Sequence, residues 1–337
     1  MKEFSVNSAN AGQRLNKYCG RILQNAPQSF IYKMLRKKNI TLNDKKADGN
    51  ELLVTNDKVK FFLSDETFEK FSGISTIKEN VKTNKSLAED EIIYEDDNIL
   101  ICYKPEGELS QKAKPEDVTI NERIVEYLSN KPADGEVKFV PGVCNRLDRN
   151  TKGLITAGKN LRAQSFLSKL FRERTIHKYY IAVVKGEFKG LLDSTLYLSK
   201  DNETNKVYIS KNAKEDSQAI HSIFKGIAYN NGFSIVKIRL ETGKSHQIRA
   251  QLAYLGFPVL GDSKYGDAKI NRILADEFEI RNQMLLAYEL VFPECLGTFS
   301  NLSRKTIKCK IPYEFTAFWK ENNLWAHGNQ EDLEAHF

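Results

Sequence analysis

The chain has 337 residues, 41% of them hydrophobic and 28% charged, with a formal net charge of +7. That length allows two or three domains and a substantial core, and the absence of any run near the roughly 18 apolar residues of a membrane span argues against one. Five scattered cysteines (Cys19, Cys102, Cys144, Cys295, Cys309) form no C-x-x-C pair and are odd in number, which disfavours a disulfide framework or structural zinc and fits a reducing cytoplasm. The opening "MKEFSVNSANAGQRL" has no apolar stretch of the secretory kind, in keeping with that expectation.

The positive charge is concentrated at the front. Met1 to Leu63 holds 12 Lys+Arg against 5 Asp+Glu, whereas the rest of the chain balances at 39 of each. This asymmetry predicts a polyanion-binding module joined to a body with another task. Leu15, Tyr18, Cys19, Ile22 and Leu23 recur on one helix face, and a second helix is expected over 27–38 with Ile31, Met34 and Leu35 inward. Lys33, Arg36 and Lys37 share another face of that helix, with Lys38 beside them. The tract "NITLNDKKADGNELLVTNDKVKFFL" reads as short strands around Asp-Gly and Asn-Asp turns. Two small helices with a basic face and a following β-ribbon resemble the S4-type RNA-binding domain. The plainer alternative is an ordinary solvated helix face. On this reading 1–63 is the front domain and the polar, weakly periodic 64–90 is a linker, followed by a body over 91–320 and a tail over 321–337.

In the body, a strand is expected at Ile99 to Tyr103 and a helix at 119–130. Asn160 can cap a helix that turns Phe166, Leu167, Leu170 and Phe171 inward. "HKYYIAVVKGEF" is strongly β-forming, and "AIHSIFKGIAYNNGFSIVKIRLETG" contains two such runs around Asn-Asn-Gly, a hairpin signal. Ser245 can cap a further helix with Ile248, Leu252 and Leu255 inward. Strands are expected near 285–292 and 306–311. Many neighbouring strands with few helices between them predict an α+β fold with a mixed, largely antiparallel sheet.

Two stretches are dense enough in polar groups to carry chemistry. In "NRLDRNTKG", Arg146 and Asp148 fall on one side of an extended backbone and Leu147 on the other. Leu147 can then anchor the segment while both charges face a cleft. Asp-Arg-Asn-Thr is also good turn material, so Asp148 is either a turn-former or a reactive group. In "ETGKSHQIRAQLAYLGFPVLGDSKYG" a phosphate-loop reading fails, because Ile238 stands where that motif needs glycine. What remains is a helix start at Ser245–His246 with Arg249 one turn in, either an anion-binding arrangement or a surface arginine on an amphipathic helix. Tyr179 and Tyr180 point to opposite faces of a strand, so only one of them can meet a cleft. The five histidines show no metal-ligand spacing, and no G-x-S-x-G elbow occurs.

Together, "NRLDRNTKGLITAGK", "KYYIAVVKG", "LETGKSHQIRAQLAYLGFPVLGDSKYG" and, more weakly, "ILICYKPEG" resemble the RluA-type family of pseudouridine synthases. The S4-like front end points to the RluC/RluD-like branch, which includes large-subunit ribosomal RNA enzymes. The resemblance implies a pseudouridine synthase-type catalytic domain behind a small S4-like domain, and isomerisation of uridine within RNA. It implies that Asp148 is the nucleophile, that Arg249 pairs with it, and that Tyr180 lines the uracil pocket. Arg146 matches the arginine that fills the stack vacated by a flipped base, and Leu147, Thr151, His246 and Gln247 would make further substrate contacts. No cofactor or metal is implied, and the partner is RNA, with ribosomal RNA favoured and a monomer expected. The chain departs from the family at Asn145 (usually histidine), Lys152 (usually serine) and Gln251 (usually histidine). These departures keep open a non-catalytic RNA-binding or ribosome-assembly protein. An N-ribosyl hydrolase, which breaks the same glycosidic bond, is a third reading.

Overall fold

The computed structural model describes residues 1–6, 10–72, 86–114, 116–129, 140–201, 203–204 and 206–324. The middle of the expected linker (73–85) and most of the expected tail (325–337) lie outside them. At the front, helical spacing of apolar residues does what it predicts. Helix α1 (Leu15–Ile22) buries Leu15, Tyr18, Cys19 and Ile22, and α2 (Gln28–Arg36) buries Ile31, Met34 and Leu35. Pro27 precedes α2, where its fixed φ suits a helix entry. Strands β1 (Lys2–Ser5), β2 (Ile40–Leu42), β3 (Lys45–Lys46) and β4 (Lys58–Phe61) form an antiparallel sheet in the order β1-β4-β2-β3. Asn43 and Asp44 both take positive φ between β2 and β3, the conformation that a two-residue hairpin turn requires.

Part of the span expected to be linker is ordered. Ser64 accepts a hydrogen bond from the Thr67 amide at 3.2 Å, and α3 (Asp65–Ser72) follows. Its Phe68 is 2% exposed, lying 6.0 Å from Phe4 and 5.8 Å from Phe61 between ring centroids. The acidic and basic residues around Phe68 and Phe71 hide this short apolar face in the sequence.

The chain divides into two compact units. One comprises Met1–Leu100, Ala113–Cys144 and Thr156–Lys169; the other comprises Ile101–Lys112, Asn145–Ile155 and the chain from Leu170 onward. The first also contains β5 (Ile92–Glu95) and α4 (Ile120–Ser129). Strands β6 (Ile99–Lys104) and β7 (Lys152–Gly158) and helix α5 (Leu161–Glu173) contribute to both. Asn160 caps α5 as its position predicts, accepting from the Ala163 amide at 2.9 Å.

The second unit is built on β8 (His177–Lys185), β9 (Leu191–Asp201), β10 (Lys206–Ser210), β11 (Gln218–Asn230), β12 (Phe233–Leu240), β13 (Leu285–Val291) and β14 (Thr306–Lys308). Their order is β10-β9-β11-β12-β8-β13-β7, with β14 on β13. The pairings from β10 to β13 are antiparallel and β13 runs parallel to β7. The architecture is thus α+β with a large, mostly antiparallel sheet. Asn231 and Gly232, at φ 52° and 76°, make the tight turn between β11 and β12. Helices α6 (Gln247–Tyr254), α7 (Ala268–Glu277) and α8 (Tyr313–Glu321) complete the unit. At the start of β7, Gly153 sits opposite Ala287 at φ 119°, and a Cβ there would overlap the Ala287 backbone. Only glycine permits this approach. Among the described residues, no helix is long and apolar enough to cross a membrane.

If α3 belongs to the front core, Phe68→Ala leaves a cavity that costs about 3–5 kcal/mol. Urea denaturation followed by a probe in residues 1–72 measures this, and a loss below about 1 kcal/mol, the size of an ordinary surface change, would contradict the packing described.

Candidate active site

The segment Arg146–Thr151 is held from several sides. Ser110 Oγ accepts from the Leu147 amide and donates to the Leu147 carbonyl, both at 2.9 Å. Leu147 is 8% exposed, whereas Arg146 is exposed, so the alternation read from the sequence holds. Lys104 is fully buried at the end of β6. Its Nζ donates to the carbonyls of Pro105, Glu108 and Arg149 at 2.7–2.8 Å. Burial pushes the Lys104 pKa down to about 8, against the opposing pull of Glu108 and Asp148. The Thr151 amide closes a turn onto the Asp148 carbonyl at 3.1 Å, and Thr151 Oγ1 accepts from Gln283 at 3.2 Å. Asp148 is therefore both a turn-former through its backbone and free to present its side chain.

That side chain meets Arg249. Arg249 Nη1 donates to Asp148 Oδ2 at 2.8 Å. The far side of the same guanidinium is gripped by Asp262, with Nε to Oδ2 at 2.6 Å and Nη2 to Oδ1 at 2.9 Å. The Asp262 side chain is 0% exposed, that of Arg249 6%, and that of Asp148 24%. Burial works against the charge on Arg249, but the hydrogen bonds and charges of Asp262 and Asp148 outweigh it and raise its pKa. Burial likewise favours a neutral Asp262, yet Arg249 and the amides of Lys264 and Tyr265 hold its pKa below the usual carboxylate range. The outcome is a permanent cation with one carboxylate locked behind it and a second, partly open carboxylate in front.

The elements around Arg249 fix its place. Helix α6 begins at Gln247, with His246 rather than Ser245 at its N-cap and in a left-handed conformation (φ 55°). Ser245 makes no cap; the turn is tied instead by the Gln247 side chain, whose Oε1 accepts from Thr242 Oγ1 at 2.8 Å and the Lys244 amide at 3.1 Å. Beneath the helix, Gln251 accepts from Ser222 Oγ at 3.0 Å and donates to Ser194 at 3.1 Å. Tyr180, on β8, is 7% exposed. Burial, and then the charge of Asp148, raise its pKa, so it remains a phenol at neutral pH. Tyr179 takes the other face, with Lys237 Nζ 4.9 Å from its ring centre.

The expected site residues thus separate by position. Asp148 and Arg249 meet at 2.8 Å, and Tyr180 and His246 lie close enough to feel the charge of Asp148. Leu147, Thr151 and Gln247 are buried and engaged with the protein. Lys33, Arg36, Lys37 and Lys38 are exposed on and just after α2. Asn145 donates to the Leu154 carbonyl at 3.0 Å, and Lys152 is ion-paired with Glu106 and Glu314. Sequence reasoning missed Asp262, Lys104 and Ser110. Nothing local in "GDSKYG" marks its aspartate as a partner of residue 249. A cavity of about 390 Å³ beside Lys152, lined by Phe278, Gln283 and Phe315 among others, does not include Asp148. Among the described residues, no three His, Cys, Asp or Glu side chains are placed to hold a metal ion.

The chain is similar to known RNA pseudouridine synthases. Residues 98–254 match the family model of RNA pseudouridylate synthase. A ribosomal large subunit pseudouridine synthase C of Vibrio vulnificus is 30% identical over 267 residues, covering 79% of this chain and 80% of that one. An uncharacterised RNA pseudouridine synthase of Mycoplasma genitalium is 29% identical and covers 92% of this chain and 96% of its own. In fold, human RNA pseudouridylate synthase domain containing 4 superposes with a TM-score of 0.54 at 19% identity, over 69% of this chain and 92% of that one. The chain belongs to the RluA-type RNA pseudouridine synthases, enzymes that isomerise uridine within RNA.

Proposed function

We propose that this enzyme converts a specific uridine of large-subunit ribosomal RNA to pseudouridine, with Asp148 as the nucleophile and the target base flipped out of its stack. The observation that carries the proposal is the Asp148–Arg249 pair at 2.8 Å, with Asp148 partly open and Arg249 anchored behind by Asp262. Large-subunit RNA is favoured because relatives covering most of the chain bear that description.

In this reading the guanidinium aims the carboxylate through the 2.8 Å bond and sets a fixed positive charge beside it, because it cannot itself lose its proton. The reacting uridine must leave its helix to reach a group this deep. Exposed Arg146, two residues before the nucleophile, can fill the gap with a planar cation that stacks and hydrogen-bonds at once. The Tyr180 ring supplies an apolar wall for the uracil, and its retained hydroxyl proton can be donated. Breaking the N1–C1′ bond, turning the base and joining C5 to C1′ conserves every atom, since C5 gives up a proton and N1 gains one. Asp148 forms a transient bond to the nucleotide and releases it, while the other residues hold the base and move that proton. Residues 1–63 act as an S4-like module that grips phosphates through Lys33, Arg36, Lys37 and Lys38. The segment 64–90 joins it to the catalytic part over 91–320, which the tail 321–337 follows. The free cysteines fit work in the cytoplasm.

Asp148→Asn is expected to reduce pseudouridine formation to background while RNA affinity stays nearly unchanged; wild-type-like turnover would remove Asp148 from the chemistry, and release of free uracil by the native enzyme would indicate hydrolysis instead. Asp262→Asn leaves Arg249 short of a partner in a buried site, so both turnover and stability fall, the latter by about 3–5 kcal/mol. Because the folded-state pKa of Asp262 is depressed, its stabilisation is complete above the ordinary value of about 4 and fades as pH drops through the lower folded value. Urea midpoints of wild type and variant should therefore converge towards acid; a constant gap contradicts the pairing. Replacing Lys33, Arg36 and Lys37 together with alanine should weaken RNA binding and flatten its log–log salt dependence by about two, whereas an unchanged slope would place the RNA elsewhere.

A further inference from the structure

Tyr265 touches Asp262, Arg249 and His246 at once. Its amide donates to Asp262 Oδ1 at 3.1 Å, and its ring centre lies 5.4 Å from the Arg249 guanidinium carbon. The same ring meets His246 edge-on, with centroids 5.7 Å apart and planes at 69°. Its hydroxyl accepts from the Val207 amide on β10 at 2.9 Å and lies 2.9 Å from His246 Nδ1. The ring itself packs on the apolar patch of Leu196, Leu198, Val207, Ile220 and Ala250, so it cannot swing aside freely.

A tyrosine hydroxyl has a single proton to give. The Val207 amide already points its own hydrogen at the oxygen, so the hydroxyl proton is left to point at Nδ1. An imidazole that accepts at Nδ1 carries its hydrogen on Nε2. We propose that Tyr265 is a positioning residue that holds His246 as an Nε2–H donor, aimed at an oxygen of the RNA strand beside the reacting uridine, while its ring backs Arg249. One side chain then sets both the cation that pairs with Asp148 and the neutral donor next to it. Five groups face His246: Asp148 and Asp262 favour its protonated form, Arg249 and Lys264 oppose it, and Tyr265 bonds to it directly. Burial, the largest influence, lowers the His246 pKa, and burial raises that of Tyr265. Both shifts keep the pair neutral, as the donor arrangement requires. His246 occupies the left-handed N-cap of α6, so its backbone is fixed by the helix that carries Arg249. With the backbone set by α6, the orientation of the ring rests on the tyrosine hydroxyl.

This inference rests on the Asp148-centred reading of the site, but its first test does not need activity. In the full chain labelled with nitrogen-15 histidine, the His246 resonances are assigned by their loss in His246→Asn. The native protein should carry the hydrogen on Nε2, with Nδ1 shifted as a hydrogen-bonded acceptor. Tyr265→Phe keeps the ring and removes only the hydroxyl. Losing a donor to the neutral ring favours protonation, so the His246 titration midpoint should rise by about half to one pH unit. The KM for substrate RNA should rise about threefold or more, with a smaller change in kcat. A hydrogen on Nδ1 in the native protein, an unmoved midpoint or an unmoved KM each overturns the assignment. Packing alone would leave all three untouched, since phenylalanine fills the same space. Failure here alongside an inactive Asp148→Asn variant would sink only the role of Tyr265.

Discussion

A guanidinium almost withdrawn from water sits between two carboxylates, and the catalytic half of the chain is arranged to keep it there. Such a cation is costly to bury unless its charge and its hydrogen bonds are answered. Asp262 answers on two donors and Asp148 on a third. The two carboxylates differ in accessibility, and that difference separates their work. Asp262 is fully enclosed and receives two backbone amides as well, so its lone pairs are spent on structure. Asp148 is partly open and spends one oxygen on Arg249.

The loop that carries Asp148 is fixed by its backbone, leaving its charged side chains available. Ser110 clamps both polar groups of Leu147, Lys104 takes the carbonyl of Arg149, and Gln283 holds Thr151. Each anchor comes from a different part of the chain, from the region of β6 to the approach to β13. The loop therefore inherits the rigidity of the sheet, and positioning of this kind is what raises the effective concentration of a reacting group. The family departures fit the same frame. Gln251 is hydrogen-bonded through both ends of its amide beneath α6, and Lys152 is neutralised by two glutamates. Neither change puts a new unpaired charge beside Asp148.

Much of this was legible in the sequence because it obeys short-range rules. The 3.6-residue spacing of Leu15, Tyr18, Cys19 and Ile22 gave α1, Asn160 gave the start of α5, and Asn-Gly gave the β11–β12 turn. The alternation Arg146–Leu147–Asp148 gave the correct facing of all three. What could not be read depended on distant partners. Asp262 lies 13 residues from Arg249 and across a turn, and no periodicity links them. Ser110 and Lys104 act on the catalytic loop through backbone atoms, which leave no mark on residue choice nearby. The cap of α6 was misread because serine is the better N-cap by local preference, whereas here the Gln247 amide satisfies the turn and His246 bends it. Helix α3 was masked by a charged exterior around two phenylalanines.

The contact of Gly153 with Ala287 has a bearing on how such a site can change over time. Residues facing the open side of the loop can be exchanged one at a time, with substrate preference drifting accordingly. Where β7 meets β13, the spacing is set by the absence of a methyl group. Any enlargement there would lift the strand, and with it Asp148 five residues upstream, away from a cation that Asp262 holds on its other side. The scaffold thus tolerates variety at its mouth and none at its hinge, so new specificities can arise without the reacting groups losing their alignment.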